Sequence, residues 1–305
     1  MISLSTCKAM KNIALKDGMI SLSDKQRMAL QNALIDMLHD FANFCSSNGL
    51  TWCACGGTCL GAVRHEGFIP WDDDLDVFMP RADYKRMVQL FDGQMGENYY
   101  LRTPDTQGYG LNIARILKRG TTYRGQWDVE FDDCGIFIDI FILEVAPRKA
   151  IIRGLHGMIS MALGLATSSS RFLRYRESLM LLANGERDLA RTVKLKSAIG
   201  KLLSFMPMES WCIAWDHWNS RHSDEQSPFI TCPAGMKHYF RETYLAESIL
   251  PPVDGHFDGL RIPIPHDYDT YLRKLYGDDY MTPPPPENRE SHVLYEFSLD
   301  DDKSS

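Results

Sequence analysis

Acidic side chains cluster in one short stretch, where Asp72, Asp73, Asp74 and Asp76 fall within five residues. Asp74 and Asp76 lie on either side of Leu75, so acidic and apolar residues alternate. In a strand, alternate side chains share a face, which would put the Cα atoms of Asp74 and Asp76 about 6.6 Å apart. Mg²⁺ takes one or two carboxylates and completes its shell with water and substrate phosphate. The pattern therefore predicts a divalent-cation site that acts on a phosphate-containing substrate.

Two alternative interpretations of the acidic stretch are a solvated turn without a ligand and an EF-hand calcium loop. Asp72, Asp74 and Asp76 fit positions 1, 3 and 5 of such a loop. However, Val77 stands where the loop needs glycine, and Asp83 stands where it needs glutamate. The EF-hand is rejected for this reason, and the flanking glycines and basic residues make an idle turn the weaker interpretation.

A glycine pair precedes the acids, at Gly56 and Gly57, and is followed by Thr58. Glycines between a strand and a helix allow the backbone to approach a ligand closely. A helix that begins near Thr58 would point free N–H groups and the positive end of its dipole at an anion. The glycine turn and the acidic strand together predict a phosphate site that faces a metal site.

Three blocks of the chain resemble the LicD family, which contains phosphocholine transferases and fukutin-type sugar phosphotransferases of the nucleotidyltransferase-fold superfamily. The first block is GGTCLGAVRHEGFIPWDDDLDVFMPRADY, residues 56–84. The second is the apolar run GIFIDIF, residues 135–141, which supplies a third acid at Asp139. The third runs from Phe257 to His292. The likeness is weak between about 148 and 225.

The resemblance implies that Asp74, Asp76 and Asp139 are catalytic and bind the metal, as two Mg²⁺ ions, with Mn²⁺ as an alternative. Asp139 is also the candidate general base. The implied reaction moves phosphocholine, or a similar phospho-substituent, from CDP-choline or a related CDP-linked donor to a sugar hydroxyl of a cell-surface glycan such as lipopolysaccharide. CMP would be released.

Candidate contacts to the nucleotide or substrate are chosen for backbone N–H groups, positive charge or an aromatic face near the acids. They are Gly56, Gly57, Thr58, Arg64, His65, Trp71, Arg115 and Lys118.

Two other functions remain open. A nucleotidyltransferase using CTP or another NTP would release pyrophosphate, and the motif alone does not separate it from the phosphotransferase. A non-catalytic glycan-binding protein on the same fold is the third class. That class predicts lost acids, whereas all three carboxylates are present.

The composition excludes several other classes of protein. The 305 residues are 44% hydrophobic and carry a net charge of −7, which argues against a nucleic-acid partner. Eight cysteines follow no disulfide framework, so we expect reduced thiols, with zinc at Cys53, Cys55 and Cys59 as an alternative. Lysines interrupt the N-terminal apolar runs, and we expect no stretch of the roughly 18 apolar residues that span a membrane. Cytoplasmic residence, at the inner face of the membrane, follows as an expectation.

The predicted fold is α+β, with a nucleotidyltransferase-like mixed β-sheet flanked by helices and an added helical region. Predicted units are an N-terminal helical segment (1–49), a catalytic core (50–147), a helical region (148–226) and a C-terminal block (227–305) with a disordered acidic tail. Ser23 opens a capping box for a helix that ends at Asn48 and Gly49. The basic helical region is either a solvated layer or a face that approaches an acidic glycan or a membrane surface.

Overall fold

A mixed seven-stranded β-sheet forms the centre of the protein in a computed structural model, which describes residues 18–289 and 292–299. The strands are β1 (Cys53–Ala54), β2 (Leu75–Pro80), β3 (Tyr99–Arg102), β4 (Ala114–Lys118), β5 (Thr122–Gly125), β6 (Phe137–Ala146), β7 (Phe229–Thr231), β8 (Thr243–Leu245), β9 (Val253–Phe257), β10 (Leu260–Ile264) and β11 (Leu294–Ser298).

Helices cover the sheet and form a separate layer after β6. They are α1 (Asp24–Ser47), α2 (Gly56–His65), α3 (Arg81–Gln94), α4 (Ala150–Arg174), α5 (Arg176–Leu182), α6 (Arg187–Leu202), α7 (Met208–Asn219), α8 (His238–Arg241), α9 (Ala246–Ile249) and α10 (Tyr268–Tyr276), with short 3₁₀ helices at Ser220–His222 and Pro286–Asn288.

Strand β6 organises the sheet. The strand order is β1-β2-β6-β4-β3, with β7 pairing β6 and β8 pairing β7. The pairing of β2 with β6 is parallel, whereas β4 and β7 pair antiparallel with the first and last parts of β6. Ile138, Ile140 and Ile142 of β6 are at most 2% exposed, as expected for a strand with neighbours on both sides. The predicted α+β class with a mixed sheet is confirmed.

Helix α1 begins as the sequence predicts. The Ser23 hydroxyl accepts a hydrogen bond from the Gln26 N–H, and the Gln26 side chain accepts one from the Ser23 N–H, which completes the capping box. The helix ends at Ser47, with Asn48 as its C-cap. Its buried residues join the same hydrophobic core as the sheet, so α1 is a support for the sheet.

Some predicted boundaries shift. Most of the apolar run at 135–141 lies in β6, which continues to Ala146, where its end pairs with β7. Residues 1–17 and the acidic tail at 300–305 lie outside the described residues, so the predicted disorder of the tail is not addressed. The domain boundaries stay predictions.

The helical region differs from expectation in one respect. Helix α4 has 25 residues and is long and apolar enough to cross a membrane, by length and composition only. The apolar run within this helix, residues 154–166, is shorter than the helix itself. Arg153 precedes the run, and His156 interrupts it. In the most apolar window of α4, 28% of the residues are buried inside the protein.

A buried ionic network joins this region to the sheet. Arg81, at the start of α3, pairs with Glu144 of β6 and with Asp216 of α7, where Nη2 lies 2.6 Å from Asp216 Oδ1. Arg81 and Glu144 are at most 4% exposed. Because breaking one partner of such a pair leaves a buried charge, the network holds α7 in place against the core.

Candidate active site

Strands β2 and β6 bring the three predicted carboxylates together. Leu75 and Val77 are fully buried in the core, so Asp76, and Asp74 just before the strand, project from the opposite face. Asp76 and Asp139 are register partners on the parallel strands, which lie about 4.8 Å apart. The arrangement follows from strand alternation on β2 and from the parallel register with β6.

Burial and like charge make this group of acids electrostatically unfavourable by itself. The pKa of the Asp74 carboxyl is raised to about 6, chiefly by burial and further by the charges of Asp73 and Asp139. The pKa of Asp76 is raised well above its usual range, first by burial and then by Asp74 and Asp139. A divalent cation would offset this repulsion, and oxygen ligands suit Mg²⁺. Asp74 and Asp76 therefore fit the predicted metal.

Asp139 has a partner that the sequence does not indicate. Arg115 donates from Nε to Oδ1 at 2.7 Å and from Nη2 to Oδ2 at 2.9 Å, because the two residues are directly paired across β4 and β6. The guanidinium also stacks over the Phe137 ring, 3.5 Å from its centroid, and lies 3.7 Å from Asp128. The sequence predicts a phosphate contact for Arg115, and the structure pairs it with the third carboxylate instead.

The backbone of the glycine turn lies very close to the carboxylates of the acidic stretch. Gly56 has φ +50°, and a Cβ on it would come within 2.7 Å of Asp76 Oδ2. A Cβ on Gly57 would come within 2.6 Å of Asp72 Oδ2. Only glycine therefore allows the start of α2 to approach the acidic stretch this closely. The first N–H groups of a helix have no partner within it, so α2 points donors towards the carboxylate cluster.

Two side chains fix the turn. The Thr58 hydroxyl accepts a hydrogen bond from the Asp76 N–H at 2.8 Å, which ties α2 to β2. The Gly56 N–H donates to Tyr271 Oη at 2.8 Å, so the C-terminal block supports the turn through α10. The Thr58 hydroxyl thus has a structural task, and only its backbone N–H corresponds to the predicted phosphate contact.

Arg64, His65 and Trp71 form one group beside the acids. The Arg64 Nη1 donates to the Tyr280 carbonyl at 2.7 Å, and its Nε lies 3.4 Å from His65 Nδ1. The His65 ring meets the edge of Trp71, with centroids 6.4 Å apart, and the Arg289 guanidinium lies 4.1 Å above the Trp71 ring. The predicted stacking face of Trp71 is therefore covered by an arginine of the C-terminal block.

Lys118 is not brought to the cluster. It lies three residues beyond Arg115, so strand alternation turns it to the other face of β4. There it lines a surface cleft together with Asp40 and Glu97. The structure therefore does not place Lys118 beside the acids, and its contact with the substrate phosphate stays a prediction.

His292 completes the site from the far end of the chain. Its Nδ1 lies 2.6 Å from Asp73 Oδ1, and its Nε2 lies 3.7 Å from Asp74 Oδ2. Asp73 Oδ2 accepts a hydrogen bond from Tyr123 Oη at 2.8 Å. The negative charge of Asp73, next to the imidazole, raises the pKa of His292 well above its usual range. The ligand atoms of Asp73, Asp74 and His292 all lie within 4.8 Å of one another and could hold a metal ion.

Sequence reasoning assigns no role to Asp73 and leaves the role of His292 open. The sequence marks His292 only as the last residue of the C-terminal block that resembles the family. That block is the available signal, because an isolated histidine beside a proline-rich segment has no local pattern that points to an acid 219 residues away.

The cysteines give no support to the zinc alternative. Cys53, Cys55 and Cys59 are buried free thiols, and burial raises their pKa values. Burial in apolar surroundings disfavours the thiolate that zinc needs. Within residues 18–289 and 292–299, the group of acids and histidine described above has metal-ligand spacing, and no cysteine belongs to it.

Sequence comparison finds known proteins that are similar to this chain. Residues 49–149 match the family model described as LicD/FKTN/FKRP, nucleotidyltransferase domain. The lipopolysaccharide cholinephosphotransferase LicD of Haemophilus influenzae is 26% identical over 271 residues, which cover 87% of this chain and 95% of that protein. An uncharacterized protein of Rickettsia prowazekii is 35% identical over 77 residues, 23% of this chain and 29% of that protein. These matches support a relationship to the LicD family, through the domain at residues 49–149 and through a likeness to the Haemophilus protein over most of the chain.

Proposed function

We propose that this protein is a metal-dependent phosphotransferase that moves phosphocholine, or a similar phospho-substituent, from a CDP-linked donor to a sugar hydroxyl of lipopolysaccharide or another cell-surface glycan. The name of the Haemophilus relative, whose length this chain almost fully covers, supports the choline-phosphate group and the lipopolysaccharide acceptor. CDP-choline as donor and CMP as the leaving group go beyond that name and belong to the proposal.

One observation carries the proposal. The start of α2 lies so close to Asp76 that a Cβ on Gly56 would be 2.7 Å from Asp76 Oδ2, and Asp76 is the register partner of Asp139 on the neighbouring strand. A helix start favours phosphate, and a carboxylate pair favours a divalent cation. Placing both within contact distance creates a site for a diphosphate that carries a cation.

In this arrangement, the N–H groups of Gly57 and Thr58 would bind the donor diphosphate. Arg64 lies in the same neighbourhood and would add positive charge. Asp74 and Asp76 would hold Mg²⁺, which supplies neutralisation of the diphosphate charge and orientation of its oxygens when bound. His292 would hold Asp73 and Asp74 in place from the open side of the site.

The transfer step is a displacement at phosphorus. The acceptor hydroxyl oxygen attacks the phosphorus that carries choline, the bond from that phosphorus to the bridging oxygen breaks, and CMP leaves with that oxygen. The hydroxyl proton would pass to Asp139. Arg115 donates one hydrogen bond to each oxygen of Asp139, so the proton would be taken up by a remaining lone pair of one oxygen.

The experiment compares donors and products. Purified protein with Mg²⁺ is incubated with CDP-choline, CDP-ethanolamine, CDP-ribitol or CTP and a lipopolysaccharide acceptor, and CMP and pyrophosphate are measured. The proposal expects CMP from a CDP-linked donor and its loss in Asp76→Asn, with Asp132→Asn, an exposed loop acid, as the matched control. Pyrophosphate from CTP would establish nucleotidyl transfer instead. Turnover by Asp76→Asn at the wild-type rate would exclude the metal assignment.

A further inference from the structure

Helix α4 turns its apolar side chains outward. Six of them are between 40% and 80% exposed: Ile151, Ile152, Leu155, Met158, Ile159 and Met161. Positions 151, 155, 158 and 159 follow helix spacing, so these side chains form one continuous stripe. We call these six residues the α4 face.

The opposite side of α4 carries polar and small residues and packs against the protein. His156 Nδ1 lies 3.0 Å from Tyr239 Oη, and the Ser160 hydroxyl donates to Asn219 Oδ1 at 2.6 Å. The Trp218 indole N–H donates to the His156 carbonyl at 2.9 Å. This is the reverse of a surface helix in a soluble domain, which buries its apolar stripe and exposes its polar one.

Charge indicates what covers the α4 face. From Pro147 to Arg176 the chain contains no aspartate or glutamate. Arg148 and Lys149 are exposed immediately before the helix. A basic pair beside an apolar stripe is complementary to a surface that offers negative headgroups above a hydrocarbon layer. A second protein chain would need only the apolar part of this pattern.

We propose that the α4 face docks on an anionic phospholipid membrane, with the helix lying in the plane of the surface and Arg148 and Lys149 among the headgroups. The hydrogen bonds of His156 and Ser160 to α7 and α8 decide against a spanning helix. A helix surrounded by lipid would have to give up these bonds without water to replace them. The same bonds stay intact when only the outward stripe enters the interface.

The test uses the full chain and sedimentation with vesicles, without donor or acceptor, so its outcome is independent of the transfer assay. Wild-type protein is expected to bind phosphatidylcholine vesicles that contain phosphatidylglycerol, and to bind less at high salt. The triple variant Leu155→Gln, Met158→Gln, Ile159→Gln is expected to lower the partition coefficient at least tenfold. The matched control replaces three exposed apolar residues elsewhere, Met28→Gln, Leu181→Gln and Met281→Gln, and should bind as wild type.

A second pair of variants tests the charge. Arg148→Gln with Lys149→Gln should weaken binding at low salt at least threefold, whereas Lys25→Gln with Lys85→Gln, also exposed, should not. This arm decides the matter if the apolar triple variant fails to fold. The proposal is overturned if wild-type protein does not sediment with anionic vesicles, or if the triple variant binds them as strongly as wild type. A wild-type dimer that the triple variant converts to a monomer, with unchanged vesicle binding, assigns the α4 face to a second copy of the chain.

Discussion

Arg115 holds both carboxylate oxygens of Asp139, at 2.7 and 2.9 Å, across paired strands of the central sheet. Both residues are at most 8% exposed. A bidentate guanidinium at this depth neutralises one of three neighbouring acids and so reduces the repulsion among them. Arg115 thus occupies the oxygens that a cation at Asp139 would also use, and the two must share or exchange that carboxylate.

We expect Arg115→Ala to lower the free energy of unfolding by about 3–5 kcal/mol, because it leaves the Asp139 charge buried without its partner. Urea denaturation measures the change. The double variant Arg115→Met, Asp139→Asn should recover much of the loss, since it removes both charges. Arg261→Ala breaks an ion pair whose side chains are 73% and 65% exposed and should cost less than about 1 kcal/mol. A loss in Arg115→Ala as small as in Arg261→Ala would contradict a buried pair.

Asp76→Asn should make the metal-free protein more stable while removing its response to Mg²⁺. Two carboxylates about 5 Å apart repel by roughly 3 kcal/mol at an effective dielectric near 20, and the amide removes part of that repulsion. Thermal denaturation with EDTA and with Mg²⁺ gives both quantities. Wild type should melt higher with Mg²⁺, and Asp76→Asn should show a raised Tm in EDTA and no further rise. Asp132→Asn should respond to Mg²⁺ as wild type does. An unchanged Mg²⁺ response in Asp76→Asn would remove Asp76 from the metal site.

Gly56→Ala should lower stability by about 1–3 kcal/mol and reduce turnover, because its positive φ and the 2.7 Å approach to Asp76 Oδ2 leave no room for a methyl group. Gly93→Ala is the matched control. Gly93 lies within α3, and a methyl group on its Cα would have no neighbouring atom within 4 Å, so alanine should stabilise the helix by about 0.5–1 kcal/mol. Equal effects of the two substitutions on unfolding would show that the glycine turn is not constrained by the acids.

His292→Asn should reduce turnover at least tenfold, because His292 contacts Asp73 and Asp74. Steady-state rates with a saturating CDP-linked donor provide the measurement. His256→Asn, on the exposed side of β9, should leave the rate unchanged. If the two histidine variants have the same rate, the contact of His292 with the acids has no part in the reaction.

Glu242 should make stability fall as pH rises. Burial raises its pKa from the usual 4.5 to about 7, against the opposing effect of the Lys237 N–H and the charges of Lys237 and Lys274. Below pH 4.5 the carboxyl is protonated in both the folded and unfolded states, so it does not lower the stability of the fold. Between about pH 4.5 and 7 the unfolded state releases the proton first, so the folded state loses about 1–3 kcal/mol by pH 8.

Glu242→Gln should remove this dependence. The amide oxygen can still accept the Lys237 N–H bond, which is 2.6 Å long in the wild type. The free energy of unfolding is measured for wild type and variant at pH 5 and pH 8. The two proteins should be similarly stable at pH 5, and the variant should be the more stable one at pH 8. A variant that is less stable than wild type at pH 8 would show that the ionised Glu242 carboxylate stabilises the fold, contrary to this prediction.

Local properties of the chain determined much of the site before any fold was known. Asp74 and Asp76 share a face because strand alternation is a property of neighbouring residues, and α1 begins at Ser23 because its capping box spans only four positions.

The tertiary structure decided the partners of those residues. The pairing of Arg115 with Asp139 depends on the register between β4 and β6, and the contact of His292 with Asp73 joins residues 219 positions apart. The outward direction of the α4 face also depends on which side of the helix packs against α7 and α8. Periodicity identifies a stripe on a helix but carries no information about what lies opposite it, because that is set by contacts between elements distant in sequence.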